Sequence, residues 1–448
     1  MDAASLVLAE RSAPRYTSYP TAPHFSKSIG DAEMRAWLAS LAPSASLSLY
    51  LHVPFCATIC AYCGCHTKAV RQEAPLELYA HTLQREIALT AQATGARRVT
   101  SIHWGGGTPG VLGPSRFAAI VSVLRDLFEL SAAAEHAIEL DPRLVDDDLV
   151  EALAAAGITR ASLGVQDFNA HVQAAAGRIQ PFETVARAVE LLRGAGIAAI
   201  NLDLMYGLPK QSVEDAARTA ALAASLKPQR LAVFGYAHVP WFKSNQKLID
   251  AAALPGVGER LAQAAAVRFM LEEQGYETIG FDHFARPDDP LAIAAREKRM
   301  RRNFQGYTID AADALLPFGV SSIGRLPQGY VGNAVDLAGW RRAIDAGRFA
   351  TSRGVAFTRE DSARADLIER LMCDFEVDYG AIAGRYGYAD EFFDDAQESL
   401  NALAKDGVVD TQGRRVVVTQ RGKPFVRLVA AAFDAYLQTS PARHSSAV

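Results

Sequence analysis

Four of the five cysteines in this chain fall within one stretch, HVPFCATICAYCGCHTK (residues 52–68). Cys56, Cys60 and Cys63 follow a C-x3-C-x2-C spacing, and Cys65 stands beyond a single intervening residue. Thiolates this close on one loop can converge on a single metal centre, and soft sulfur ligands select zinc, copper(I) or an iron–sulfur cluster. A structural zinc site usually draws ligand pairs from separated segments, and neither a second C-x-x-C nor an H-x3-H follows here. A disulfide hairpin is the other alternative. An iron–sulfur cluster held by three cysteines fits the spacing better. Such a cluster leaves one iron without a protein ligand, where a small molecule can be chelated and reduced.

The elements that must position this loop are legible as a repeat. From residue 47 to about 285, strand-like runs (LSLYLHVPF, VTSIHWGGGTP, HAIELDP, RASLGVQDF, AAINLDLMYGLP, RLAVFGYAHVP) alternate with alanine-rich amphipathic helices such as FETVARAVELLRGAG. Six βα units with short connections predict a parallel sheet curled into a full or partial barrel, with an open doubly wound sheet as the alternative. Chemistry in a parallel barrel gathers at the carboxyl ends of the strands. Here those ends carry the cysteine loop, Gly105-Gly106-Gly107-Thr108, Glu139 with Asp141, Gln166 with Asp167, Asp203, and Tyr236 with His238.

Strand parity places Tyr50 and His52 on one side of the first strand, just ahead of the cysteines. His52 reads either as a hydrogen-bonded core histidine or as a contact to the cofactor site. The triple glycine lacks the G-x-G-x-x-G order of a dinucleotide site, and is expected to let a ligand lie against bare backbone. Glu139, Gln166 and Asp203 are acceptors of the kind that hold ribose hydroxyls. Arg178 is able to clamp a carboxylate bidentately, its bland alternative being a solvated loop charge. Cys373 reads as a buried small hydrophobe.

Outside the repeat, residues 1–46 read as an amino-terminal extended arm containing RYTSYPTAPHF, either laid on the barrel or serving as a lid. Residues 285–355 read as irregular segments closing the barrel mouth. From 356 to 448 the pattern becomes helices, a short hairpin (VVDTQGRRVVVT) and a final helix over 424–437, a winged-helix-like unit. The expected domains are therefore 1–46, 47–355 and 356–448.

With 448 residues and a net charge of −4, the chain has no general attraction to nucleic acid or membrane surfaces. No apolar run approaches a membrane span, and Asp2, Glu10 and Arg11 stand where a signal peptide would be apolar. A cytoplasmic location is expected. Clustered cysteines in a reducing compartment read as metal ligands.

C-x3-C-x2-C with Tyr62 before the third cysteine resembles the radical S-adenosylmethionine (SAM) enzymes. RYTSYPTA, the added Cys65, HWGGGTP, VQDF, NLDLMYGLPKQ, YAHVP, DHFARPDD and RNFQGYT narrow the likeness to the oxygen-independent coproporphyrinogen III oxidase family, from about residue 14 to 437. The resemblance implies a [4Fe–4S] cluster on Cys56, Cys60 and Cys63 whose open iron binds SAM. It also implies a deoxyadenosyl radical that takes hydrogen from a propionate of coproporphyrinogen III, after which CO2 and an electron leave and a vinyl group is formed. Two propionates react, giving protoporphyrinogen IX in haem biosynthesis.

By the same resemblance the protein is a monomer that binds two SAM molecules and draws on an unidentified low-potential electron donor. Tyr50, Tyr62, Gly106, Glu139 and Ile323 would contact the first SAM, and Gly107, Thr108, Gln166, Arg178, Asp203 and Ala237 the second. Cys65 and His52 are the candidate catalytic residues. One departure is visible: the family commonly has asparagine before the loop arginine, where this chain has Gly177. Two other functions are the alternatives. The related haem-binding chaperone shares the cysteine spacing but usually lacks the RYTSYP arm and has an aromatic residue at the place of Cys65. A DNA-binding regulator would need a basic recognition helix, which the acidic carboxy-terminal unit lacks.

Overall fold

The structure, a computed structural model, describes residues 3–437. Six strands, β1 (Leu47–Val53), β2 (Arg98–Gly106), β3 (Glu129–Leu140), β4 (Arg160–Gln166), β5 (Ala199–Tyr206) and β6 (Arg230–Gly235), lie side by side in chain order, every pair parallel. These are the six runs expected to be strands.

Alternation of side chains decides what each face does. Along β4 and β5, Ala161, Leu163, Val165, Ile200, Leu202 and Leu204 are buried in one core with Val185, Val189 and Leu192 of the helix Phe182–Gly194. The residues between them, Ser162, Gln166, Asn201 and Asp203, lie on the opposite face and are only half-buried. A polar interior is therefore built into the period-2 pattern. The helices that cover the apolar face start on local signals. The helix Val213–Ser225, for example, begins on a capping box in which the Asp215 backbone N–H donates to Ser212 Oγ at 3.1 Å and the Ser212 N–H returns to Asp215 Oδ2 at 3.0 Å.

The sheet extends past the expected six strands on both sides. Beyond β6 lie β7 (Glu277–Ile279) and β8 (His283–Ala285), both antiparallel. Beyond β1 lie β9 (Ala314–Phe318), parallel to it, and the antiparallel series β10 (Ile323–Leu326), β11 (Gly329–Asn333) and β12 (Thr351–Ala356). The order is β12-β11-β10-β9-β1-β2-β3-β4-β5-β6-β8-β7. Because β12 and β7 do not pair, this is a partial barrel.

Residues 285–355, expected to be irregular, thus contribute four strands to this sheet, and a separate antiparallel hairpin pairs Arg301–Asn303 with Gly306–Thr308. Their glycines mark close backbone approach rather than loops. A Cβ on Gly329 would lie 2.0 Å from the Val355 carbonyl oxygen, and one on Gly354 would lie 2.3 Å from that of Tyr330.

After β12 come the helices Arg359–Asp374, Tyr379–Arg385 and Gln397–Lys405 with a small sheet of β13 (Glu376–Asp378), β14 (Val409–Gln412) and β15 (Arg415–Val418), ordered β13-β15-β14. The final helix is shorter than expected, spanning Val426–Ala431, because a 3-10 helix, Lys423–Phe425, leads into it and turns follow it. Residues 1–2 and 438–448, the outer ends of the expected terminal units, lie outside the described residues.

The amino-terminal segment differs most from its expectation. It contains two helices, Ala3–Glu10 and Asp31–Ala39, and its halves serve different cores. Leu8, Ala9, Ala13, Tyr16 and Tyr19 are buried with Leu367 and Leu371 of the helix Arg359–Asp374 and with Phe433, whereas Met34, Leu38 and Leu41 join the barrel core. Hydrogen bonds fix the first half: Tyr16 OH donates to Asp434 Oδ2 at 3.0 Å, and Arg427 Nε donates to the Pro14 carbonyl at 3.0 Å. No helix among the described residues is long and apolar enough to cross a membrane.

Candidate active site at the carboxyl ends of the parallel strands

The chain leaves β1 through Pro54 into a two-residue ribbon in which Phe55–Cys56 pairs with Lys68–Ala69, so the cysteine loop departs from and returns to one strand end. A later segment holds the loop. From the turn Ser244–Leu248, Asn245 Nδ2 donates to the carbonyls of Cys60 (3.1 Å), Ala61 (3.1 Å) and Cys63 (2.9 Å), and Gln246 Nε2 donates to that of Tyr62 (2.8 Å). Lys243 Nζ donates to the Cys65 carbonyl at 3.0 Å. The Cys60 carbonyl also accepts from the Cys63 N–H at 3.1 Å within the loop, and the other acceptors are paired from outside it.

All the cysteines are free thiols. Burial pushes the Cys56 thiol up, the hydroxyls of Thr67 (3.3 Å) and Thr108 (3.5 Å) act against it, and Cys63 and Cys60 push it further. Cys63 is drawn down to about 6, chiefly by a hydrogen bond from Cys65, whose own thiol is raised in return. Cys65 is exposed to solvent yet lies within electrostatic reach of Glu139 and Cys56. Among the described residues, no three His, Cys, Asp or Glu side chains converge closely enough for a single metal ion.

His52 is buried with both ring nitrogens engaged. Its Nε2 lies 3.0 Å from the His66 carbonyl, which can only accept, so Nε2 carries the proton and Nδ1 accepts from Tyr50 OH at 3.1 Å. Burial lowers its pKa and keeps it neutral. His52 thus links Tyr50 to the return of the cysteine loop.

The triple glycine is packed against protein. A Cβ on Gly106, whose φ is +111°, would lie 2.7 Å from His52 Cε1; one on Gly105 would lie 2.8 Å from Glu139 Oε1, and one on Gly107 would lie 2.4 Å from the Phe55 carbonyl. The absent side chains let β2 close on the cysteine ribbon.

Glu139 accepts from His103 Nε2 at 3.0 Å and from the Gly106 N–H at 3.2 Å. Burial alone would raise its pKa, but those two donors hold the carboxyl below its ordinary range. Asp203 accepts from Ser162 Oγ (3.0 Å) and Asn201 Nδ2 (2.7 Å), and is pushed up to about 6 by burial and by the charge of Glu139. The two carboxylates share one interior. Gln166 closes β4 with a φ of 69°. Thr108 is buried beside Cys56, Ala237 lines a cavity at the end of β6, and Ile323 opens β10.

Arg178 is a buried residue rather than a solvated loop charge. Its Nη1 donates to Cys60 Sγ at 3.4 Å, and Nη2 donates to Asp141 Oδ1 at 3.2 Å, the Gly164 carbonyl at 2.7 Å and Gln180 Oε1 at 2.9 Å. Gly177 before it caps the helix Ala170–Ala176 in the left-handed conformation, φ 67°. Glycine and asparagine are the two residues that tolerate this conformation best, so the departure from the family pattern preserves the backbone that aims Arg178.

Sequence reasoning did not single out Asn245, Gln246 or His103. His103 was reachable, since it alternates with Gly105 on β2; nothing in SNQK marks Asn245 and Gln246 as loop anchors.

Residues 50–223 match the radical SAM superfamily. An oxygen-independent coproporphyrinogen III oxidase of Bradyrhizobium diazoefficiens is 49% identical over 440 residues, covering 98% of each chain, and one of Salmonella typhimurium is 41% identical over 431 residues, covering 95% of this chain and 93% of that one. The solved structure of coproporphyrinogen III oxidase from Escherichia coli, a radical SAM enzyme, superposes with a TM-score of 0.90 at 39% identity, covering 94% of this chain and 98% of that one. With a three-thiol loop at the mouth of a parallel partial barrel and relatives this similar over nearly their whole length, the chain belongs to the oxygen-independent coproporphyrinogen III oxidases of the radical SAM superfamily.

Proposed function

We propose that this chain converts coproporphyrinogen III to protoporphyrinogen IX by decarboxylating two propionate side chains, with Cys56, Cys60 and Cys63 as ligands of a [4Fe–4S] cluster. The observation that carries the reading is the placement of these free thiols on one anchored loop, across the strand ends from Glu139. When bound, the cluster and SAM supply reductive cleavage of SAM and abstraction of a hydrogen from the propionate. The protein's own residues position and shield. Asn245 and Gln246 hold the loop, Tyr50 and Glu139 face the interior beside Cys65, and Arg178 bears on Cys60.

In the same reading Tyr50, Tyr62, Gly106, Glu139 and Ile323 contact the SAM on the open iron. A second SAM rests on Gly107, Thr108, Gln166, Arg178, Asp203 and Ala237. Support for that second site comes from the interior that Asp203 shares with Glu139 and from an Arg178 Nε that is buried without a hydrogen-bond partner among the described residues. Cys65, solvent-accessible beside Cys63, is positioned for contact with substrate, proton or electron rather than for ligation. The protein acts as a monomer organised as 1–46, 47–355 and 356–448, in the cytoplasm, and takes its electrons from a low-potential donor.

Anaerobic cluster reconstitution followed by assay for SAM-dependent 5′-deoxyadenosine and protoporphyrinogen tests the proposal. A reconstituted protein that binds haem tightly and leaves coproporphyrinogen III unchanged would overturn it in favour of the haem-carrier alternative.

A further inference from the structure

Two cavities meet where the amino-terminal segment, the barrel and the carboxy-terminal helices come together. The larger, about 950 Å³, is rich in basic residues, but Lys298, Arg301, Arg370 and Arg385 in its wall each pair with a carboxylate. The smaller, about 300 Å³, opens at the carboxyl ends of β5 and β6, where Tyr206, Gly235, Tyr236 and Ala237 line it. Thr17, Arg302 and Phe304 line both.

The smaller cavity has a charge imbalance. Arg15, Arg260, Arg268, Arg302 and Arg427 line it, against a single acidic lining residue, Asp282. That carboxylate is already engaged by His283 Nδ1 at 2.6 Å. Arg15, Arg268 and Arg302 make no ion pair among the described residues. Arg268 Nε and Arg302 Nε and Nη1 are buried without a hydrogen-bond partner there. Arg302 is held in place by the rings of Tyr307 and Phe281, 4.5 and 5.1 Å from its guanidinium carbon. Arg260 Nη1 donates to the Tyr236 carbonyl at 2.8 Å, and Arg427 is anchored on Pro14.

Cations gathered against one another cost free energy that a bound anion returns. Burial and the facing cations Arg15 and Arg302 hold even Arg427 down to about 10. The cavity is also adjacent to the proposed chemistry: Tyr236 in its wall packs in one apolar cluster with Cys60 and Tyr62. The substrate class that the family's reaction requires carries four propionates, of which two survive in the product.

We propose that this arginine-lined cavity receives a retained carboxylate of the tetrapyrrole, with Arg268 and Arg302 as its charged donors and Arg15 covering it from the amino-terminal segment. This subsite rests on the function proposed above. A planar fork matches a carboxylate bidentately, which explains arginine rather than lysine at every basic position of the wall. It also explains why the amino-terminal segment is tied to the carboxy-terminal helices, since that packing sets Arg15 over the cavity.

The reconstituted holoenzyme is titrated with coproporphyrin III, the unreactive oxidised tetra-acid, and with its tetramethyl ester, both read by fluorescence. The parent should prefer the acid, more strongly at low salt. Arg268→Gln and Arg302→Gln should each weaken acid binding roughly ten- to a hundredfold and leave ester binding unchanged. Arg302→Lys should recover part of the loss, and KM for coproporphyrinogen III should rise more than kcat falls. Arg187→Gln, on an exposed helix face, serves as the control and should change neither ligand's affinity.

Equal weakening of acid and ester in both variants would assign these arginines to packing and overturn the subsite, as would unchanged acid binding. If the parent itself fails to consume coproporphyrinogen III, the proposed function fails instead, so the two outcomes are separable.

Discussion

The guanidinium of Arg178 reaches Cys60, Nη1 donating to Sγ over 3.4 Å, while its other arm is bound to Asp141. A residue expected to hold a ligand carboxylate therefore also bears on a proposed cluster ligand. Hydrogen bonds and positive charge at ligand sulfur raise the potential of an iron–sulfur cluster. Arg178→Ala should lower the midpoint potential by on the order of 60 mV, a tenfold change in a one-electron equilibrium. The same variant should bind one equivalent of SAM tightly instead of two. Anaerobic redox titration and equilibrium binding of labelled SAM read the two effects; an unmoved potential would remove the link to Cys60, and two tight equivalents would remove the second SAM.

Cys56→Ala, Cys60→Ala and Cys63→Ala should each abolish cluster binding, because a three-thiolate site has no spare ligand. Cys65→Ser should keep the iron and lose most turnover. Iron and sulfide analysis beside a product assay separates the cases. Loss of iron from Cys65→Ser would make that residue a ligand after all.

Asn245→Ala should loosen the cysteine loop without touching a thiol. It removes the side-chain donor of the Ala61 and Cys63 carbonyls, while that of Cys60 keeps the Cys63 N–H, an expected cost of about 1–3 kcal/mol. Iron should then be lost to a chelator faster than from the parent, with the initial cluster content unchanged. Equal rates would show that the loop is fixed by other contacts.

Glu86, on the helix Glu73–Ala93, is buried where the Gly319 N–H (2.6 Å) and Asn333 Nδ2 (2.8 Å) donate to its carboxyl. Burial pushes its pKa up to about 7 from an ordinary 4.5, against those donors. The folded state then holds the proton more tightly than the unfolded chain. The associated stability is fully present below pH 4.5 and is lost as pH rises through 7. Glu86→Gln should flatten the stability curve over this window, by up to about 3 kcal/mol relative to the parent. Urea unfolding at pH 5 and pH 8 measures it, and parallel curves for the two proteins would refute the shift.

The six parallel strands and the polar residues at their ends were legible in the order of the amino acids. Both follow from short-range rules: period-2 alternation sends Ser162, Gln166 and Asp203 to the face opposite Leu163 and Leu202, and the thiol spacing is a property of one loop. What surrounds them depends on contacts between distant segments. Strands β9 to β12 are short, and β10, β11 and β12 each carry glycine, so their pairing shows no periodicity until Gly329 meets Val355. Asn245 reaches the cysteine loop, and Arg178 reaches Asp141 and Cys60, across long separations in the chain. The amino-terminal segment divides between two cores, and the arginines of the smaller cavity come from that segment, the barrel and the carboxy-terminal helices. Hydrogen bonds and charge clusters between distant segments leave no local pattern, because each partner is chosen by the fold that brings it near.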